Sequence, residues 1–225
     1  MNLIRTLSHI MLAVVFTTAS YLLAKLSLYF NHTDREKNAN HQTRIILSFI
    51  WGITFISSVF LLRENDDYLF IIKYIVILHL FSMIAYSDVL IGRIPLITLI
   101  LSAVMGIFIG VLNSQFWTHL LGGVVHSVMG FFIYYGGRRY LMKKNRVEVD
   151  QLAFGWGDVY ATGALGFLFG FPIGIFSLLM TLIIAILCAL IGSMIHHKRF
   201  LKSQMRLGFY FFISAVLTSI FVGSL

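Results

Sequence analysis

In a chain of 225 residues, 59% are hydrophobic and 12% charged, where a soluble domain carries about 25% charged residues. This composition excludes an ordinary globular enzyme and predicts an all-α, polytopic integral membrane protein. The net charge of +8 needs only anionic lipid opposite basic loops, and no nucleic-acid-binding motif accompanies it.

The predicted spans, in chain order, are about eight: 7–30, 45–62, 68–86, 94–112, 116–135, 158–170, 172–195 and 207–222. A helix needs about 20 residues at 1.5 Å each to cross some 30 Å of hydrocarbon, and all but the sixth come close. The longest polar stretches, 31–44 and 138–151, are too short to bury a core of their own, so 1–225 is expected to be one membrane domain. The first span has a basic residue, Arg5, before an apolar core, as a secretory signal does. Cleavage is not expected, because it would leave the basic loop that follows on the outer side. Cys188 is the only cysteine, which excludes an intramolecular disulfide and a cysteine-based zinc site. It is expected to act as a small buried hydrophobe.

Basic residues orient the spans, since cytoplasmic loops carry the excess of lysine and arginine. Thirteen of the seventeen fall on the odd-numbered loops: Arg35, Lys37 and Arg44; Arg93; Arg138, Arg139, Lys143, Lys144 and Arg146; Lys198, Arg199, Lys202 and Arg206. The expected cytoplasmic loops are therefore 31–44, 88–93, 136–157 and 196–206, with both termini outside.

Within this frame two carboxylates stand out. Asp88 follows the third span, in Asp88-Val89-Leu90-Ile91-Gly92-Arg93-Ile94-Pro95, and Asp158 opens the sixth, in Gly155-Trp156-Gly157-Asp158. An ionisable group at membrane depth is a functional candidate by default, and here two acids far apart in sequence arrive at one face. Two close carboxyls can share a proton, one activating water while the other activates a peptide carbonyl. Gly155 and Gly157 would let the backbone take conformations closed to other residues and bring another segment near the acid. The plainer alternatives are that Asp158 caps its helix and that Asp88 pairs with Arg93.

These residues resemble the type IV prepilin peptidases, membrane aspartic proteases of the Gly-x-Gly-Asp type. The family pattern has an aspartate, five residues and Ile-Pro after one span, then Gly-x-Gly-Asp opening a later one. Asp88 through Ile94 and Pro95 matches the first, and Gly155 through Asp158 the second. The likeness covers roughly residues 70 to 225 and implies that Asp88 and Asp158 are the catalytic pair. It implies an endopeptidase of the bacterial cytoplasmic membrane, with its active site facing the cytoplasm. The implied substrate is a prepilin or pseudopilin, cut between a basic leader and the apolar helix that follows. Leu96 replaces the family's usual Asn or Asp, and Tyr160 stands where lysine is frequent. Many bacterial members bind zinc through paired Cys-x-x-Cys motifs in the first loop and also methylate the cleaved product. The loop 31–44 holds no cysteine, so peptidase activity is expected with no metal or other cofactor, and the expectation does not extend to methyl transfer.

Glu148 and Asp150, just before the glycine motif, are candidate contacts for a basic leader; the plainer alternative is that they balance Lys143, Lys144 and Arg146. His79 and His126 fall inside spans and are expected to hydrogen-bond between packed helices. Gly166, Gly170 and Gly174 recur at fours, a spacing that lets helices approach closely. A transporter using the same two aspartates as a proton or cation path is the alternative from another class, but a relay would place its acids in series or near the bilayer midplane.

Overall fold

The segment Tyr68–Ile91 is apolar on every side, and a helix of that kind has to be surrounded. In the computed structural model, which describes residues 3–29, 41–64, 67–143, 155–196 and 207–223, it is. The described residues form eight α-helices: α1 (Leu3–Tyr29), α2 (His41–Glu64), α3 (Tyr68–Ile91), α4 (Leu96–Leu112), α5 (Phe116–Lys143), α6 (Trp156–Phe169), α7 (Ile173–His196) and α8 (Leu207–Gly223). α3 packs against α1, α2, α4 and α8, and 78% of its span is buried, against 17% for α1. Five helices, α1, α2, α3, α5 and α7, are long and apolar enough to cross a membrane. Such a chain is a polytopic membrane protein.

Several helix ends differ from the expected ones. α3 runs to Ile91, so Asp88 lies in its last turn and not in a loop. Gly92, at φ 69°, ends the helix, with its N–H bonding back to the Asp88 carbonyl at 2.8 Å. The left-handed conformation at that position is why a glycine follows the helix. α5 continues to Lys143, about two turns past its apolar stretch. The expected loops 88–93 and 136–157 are correspondingly shorter: the motif connection is reduced to 92–95, and helix occupies 136–143.

α6 is short because it begins between the two motif glycines and ends at Gly170, giving 14 residues, or about 21 Å. It nonetheless spans the same height as the apolar part of α5. Trp156 lies 4.8 Å from Tyr134 by ring centroids, and at the far end the Phe171 N–H donates to the Thr118 carbonyl at 3.0 Å. α5 and α6 come into backbone contact at Gly122 and Gly166, where a Cβ on either residue would run into the backbone of the other. Backbone contact of this kind is what small residues at membrane helix interfaces permit.

The histidines depart from expectation. His79 and His126 hydrogen-bond within their own helices, Nδ1 to the Ile75 carbonyl at 2.7 Å and to the Gly122 carbonyl at 2.6 Å. The carbonyl four residues back is within reach of each ring, so Nδ1 is paired without a second helix, while Nε2 stays buried with no hydrogen-bond partner. The bond between helices is made instead by His119, whose Nδ1 meets the Phe167 carbonyl of α6 at 2.6 Å. Cys188, expected to be buried, is exposed on α7 between Leu187 and Ile191, which are exposed with it. An apolar residue in a membrane helix can face lipid as readily as protein, so hydrophobicity alone does not predict burial there.

Candidate active site

The two carboxylates are delivered by helices that run in opposite directions. α3 ends near Asp88 and α6 begins near Asp158, and aromatic packing sets their relative height. Phe169, at the end of α6, lies 6.5 Å from Phe81 and 6.2 Å from Tyr74 of α3 by ring centroids. Counting back from Phe169 to Asp158 is about 16 Å of helix, and counting forward to Asp88 is about 10 Å from Phe81 and about 21 Å from Tyr74. The two acids therefore sit level, at the same end of the bundle.

The two sequence motifs also meet. Ile94, from the connection after α3, lies against Gly157 at the start of α6: a Cβ on Gly157 would stand 3.9 Å from the Ile94 Cβ and Cδ1. Pro95 is buried and caps α4 in an extended conformation (φ −62°, ψ 133°). Its carbonyl accepts from the Thr98 hydroxyl at 2.7 Å. That bond ties the turn to the start of α4.

Asp158 is placed by its own segment. It is the third residue of α6, and its Oδ2 accepts the N–H of Gly155, the capping residue, at 2.7 Å. A carboxylate reaching back in this way satisfies one of the donors left open at a helix start. The capping alternative raised by the sequence is thus met geometrically, and it is compatible with a second use of the other oxygen. Asp158 itself is only partly buried; Trp156 and Tyr160, two residues to either side of it, are half exposed on the other face of α6, where they stack at 6.2 Å.

Neither motif glycine is required by its backbone. Gly155 is extended (φ −100°, ψ 175°) and Gly157 is helical, conformations open to any residue. A Cβ on Gly155 would meet only Asp158 Oδ2, at 3.7 Å, an ordinary contact. The expectation of an unusual conformation or of another backbone pressed against the acid is therefore not met among the described residues. What the glycines leave is room for the Asp158 carboxyl beside Gly155 and for Ile94 beside Gly157.

Asp88 is set quite differently. Only 7% of it is exposed, and its Oδ2 accepts the backbone N–H of Gly208, at the start of α8, at 2.9 Å. Gly208 carries no motif, and nothing in Arg206-Leu207-Gly208-Phe209 marks it in the sequence. Only the packing of α8 on α3 brings it to the acid. A cavity of about 560 Å³ lies near Tyr86, lined also by Arg44, Ser48 and Trp51. Tyr86 points to α1 and α2, its ring 5.8 Å from Trp51, whereas Asp88 faces α8, so the cavity and the carboxyls lie on different sides of α3. Glu148 and Asp150 lie outside the described residues.

Comparison with known proteins adds one finding. No curated protein and no solved structure matches the chain. The type IV leader peptidase family matches over residues 74–194, more than half of the chain, and the match takes in Asp88, Ile94, Pro95, Gly155, Gly157 and Asp158. A chain with both motifs, in that order, carried on a helical membrane framework, belongs to the type IV leader peptidase family.

Proposed function

We propose that the chain is an aspartic endopeptidase of the membrane in which Asp88 and Asp158 together split water onto a peptide bond. The observation that carries this reading is the level pairing of two acids from separate helices, with Ile94 of one motif packed on Gly157 of the other. Membership of the family implies a prepilin-type substrate. In the reaction one carboxylate takes a proton from water as the water oxygen bonds to the scissile carbonyl carbon, and the other carboxyl gives its proton to the carbonyl oxygen. As the tetrahedral adduct collapses, the second carboxylate takes back a proton from one of its hydroxyls, the C–N bond breaks, and the amine leaves with the proton first taken from water.

The basic loops support a cytoplasmic setting for this end of the bundle. A substrate helix lying among the spans would then bring its leader junction to the two acids at the aqueous boundary, beside Gly155 and Gly157. Glu148 and Asp150 would receive basic residues of the leader. Co-expression with an epitope-tagged prepilin tests the reading. Asp88→Asn and Asp158→Asn should each abolish leader removal while the protein still inserts and folds, and persistent cleavage in either variant would refute the pair. Charge reversal at Glu148 and Asp150 should lower the preference for basic leaders; an unchanged preference removes that contact.

A further inference from the structure

Asp88 is held from outside its own helix, and what holds it lies beyond the segment 74–194 that matches the family. The N–H groups of a helix's first turn have no partner within the helix. One of them, from Gly208, the second residue of α8, is spent on Asp88 Oδ2 at 2.9 Å.

The available space is equally particular. A Cβ on Gly208 would stand 2.7 Å from Asp88 Cβ, 3.1 Å from its Cγ and 2.9 Å from its Oδ2. The closest of these atoms, Cβ, is fixed to the α3 backbone and cannot swing away. Leu207, Gly208 and Asp88 are all buried, so neither helix has slack to give. By contrast the Gly155 N–H that holds Asp158 belongs to the same turn, and a Cβ there would be accommodated.

We propose that Gly208 is a positioning residue for the reaction: the first turn of α8 clamps one oxygen of Asp88 and so sets the direction in which the carboxyl meets Asp158 and water. The inference rests on the pairing of Asp88 with Asp158 as the reacting groups. It makes α8 part of the active site, although that helix supplies no reacting group.

The test uses the full-length protein in lipid nanodiscs with a purified prepilin. It compares Gly208→Ala, Asp88→Asn, Asp88→Gly and the double variant Asp88→Gly/Gly208→Ala. Gly208→Ala should lower kcat by about tenfold or more with KM within about twofold, because misplacing a reacting group by a fraction of an ångström acts on the chemical step and not on substrate binding. It should also lower the melting temperature. In the Asp88→Gly background, where the colliding side chain is gone, the same substitution should leave the melting temperature unchanged.

Wild-type cleavage by Gly208→Ala would overturn the clamp while leaving the acid pair intact, provided Asp88→Asn is inactive. Cleavage by Asp88→Asn would instead bring down the pair itself. An equal fall in melting temperature in both backgrounds would mean that the glycine serves helix packing alone, and the clamp would again be overturned. Should Gly208→Ala fail to accumulate, the double variant decides: the clamp requires it to accumulate as Asp88→Gly alone does, and failure to do so refutes it.

Discussion

The two acids are held in opposite ways. Asp158 is fixed locally, by an N–H three residues before it, and is only partly buried. Asp88 is fixed by an N–H 120 residues later in the chain and is nearly enclosed by α3 and α8. One carboxyl thus keeps its geometry wherever its helix starts, and the other depends on the whole bundle being assembled. Asp158 is thus the less enclosed of the two acids and Asp88 the more enclosed.

The largest effect should come from the acids as a unit. Each single Asn variant should lose at least about a hundredfold in cleavage rate, the range that general acid and base groups contribute. Asp88→Asn/Asp158→Asn should be no worse than either alone, because residues acting together are not additive. A steady-state assay on a tagged prepilin measures this, and a multiplicative double variant would mean that the acids act separately.

The same substitution at the two N–H donors should then split the comparison. Gly208→Ala collides with Asp88 and should cost about 1 to 3 kcal/mol of stability, as overpacking does. Gly155→Ala meets nothing closer than 3.7 Å and should melt like the wild type and cleave within about threefold of it. Thermal unfolding in matched detergent, read beside activity, distinguishes the two; equal effects would erase the contrast drawn between the acids.

A series at Gly157 probes the less enclosed acid. Ala should be tolerated, since its Cβ would lie 3.9 Å from Ile94, and at a helical position it should add up to about 1 kcal/mol of stability. Leu or Phe should crowd Ile94 and, by narrowing the site next to Asp158, raise KM. Equal KM values across the series would mean that substrate does not approach beside Gly157.

The smallest effect is expected at His119. Removing its bond to the Phe167 carbonyl should cost about 0.6 kcal/mol, the average for side-chain bonds between membrane helices. Cleavage should be unchanged, because His119 lies near the opposite end of the bundle from the acids. A His119→Ala variant with lost activity would show that the height of α6 against α5 matters more than the local cap does.

Much of this was legible along the chain. The all-helical membrane class and the near positions of eight helices follow from long apolar runs, since a bilayer makes each span state its own length. The two motifs, and the expectation that Asp88 and Asp158 share one end, follow from short spacings and from the alternation of spans. The histidines were misjudged because a carbonyl one turn back competes with any partner on another helix. Cys188 was misjudged because lipid and protein interior are equally apolar.

By itself, the sequence determined what depends on neighbours along the chain: the helices and the cap that Asp158 makes at the start of its own. Only the tertiary structure decided what depends on helices meeting: Ile94 against Gly157, α5 against α6 at Gly122 and Gly166, and Gly208 against Asp88. A glycine at a helix start looks the same whether it faces lipid or a carboxylate. A bond across 120 residues leaves no periodicity or spacing to read, because it exists only once α8 has packed on α3.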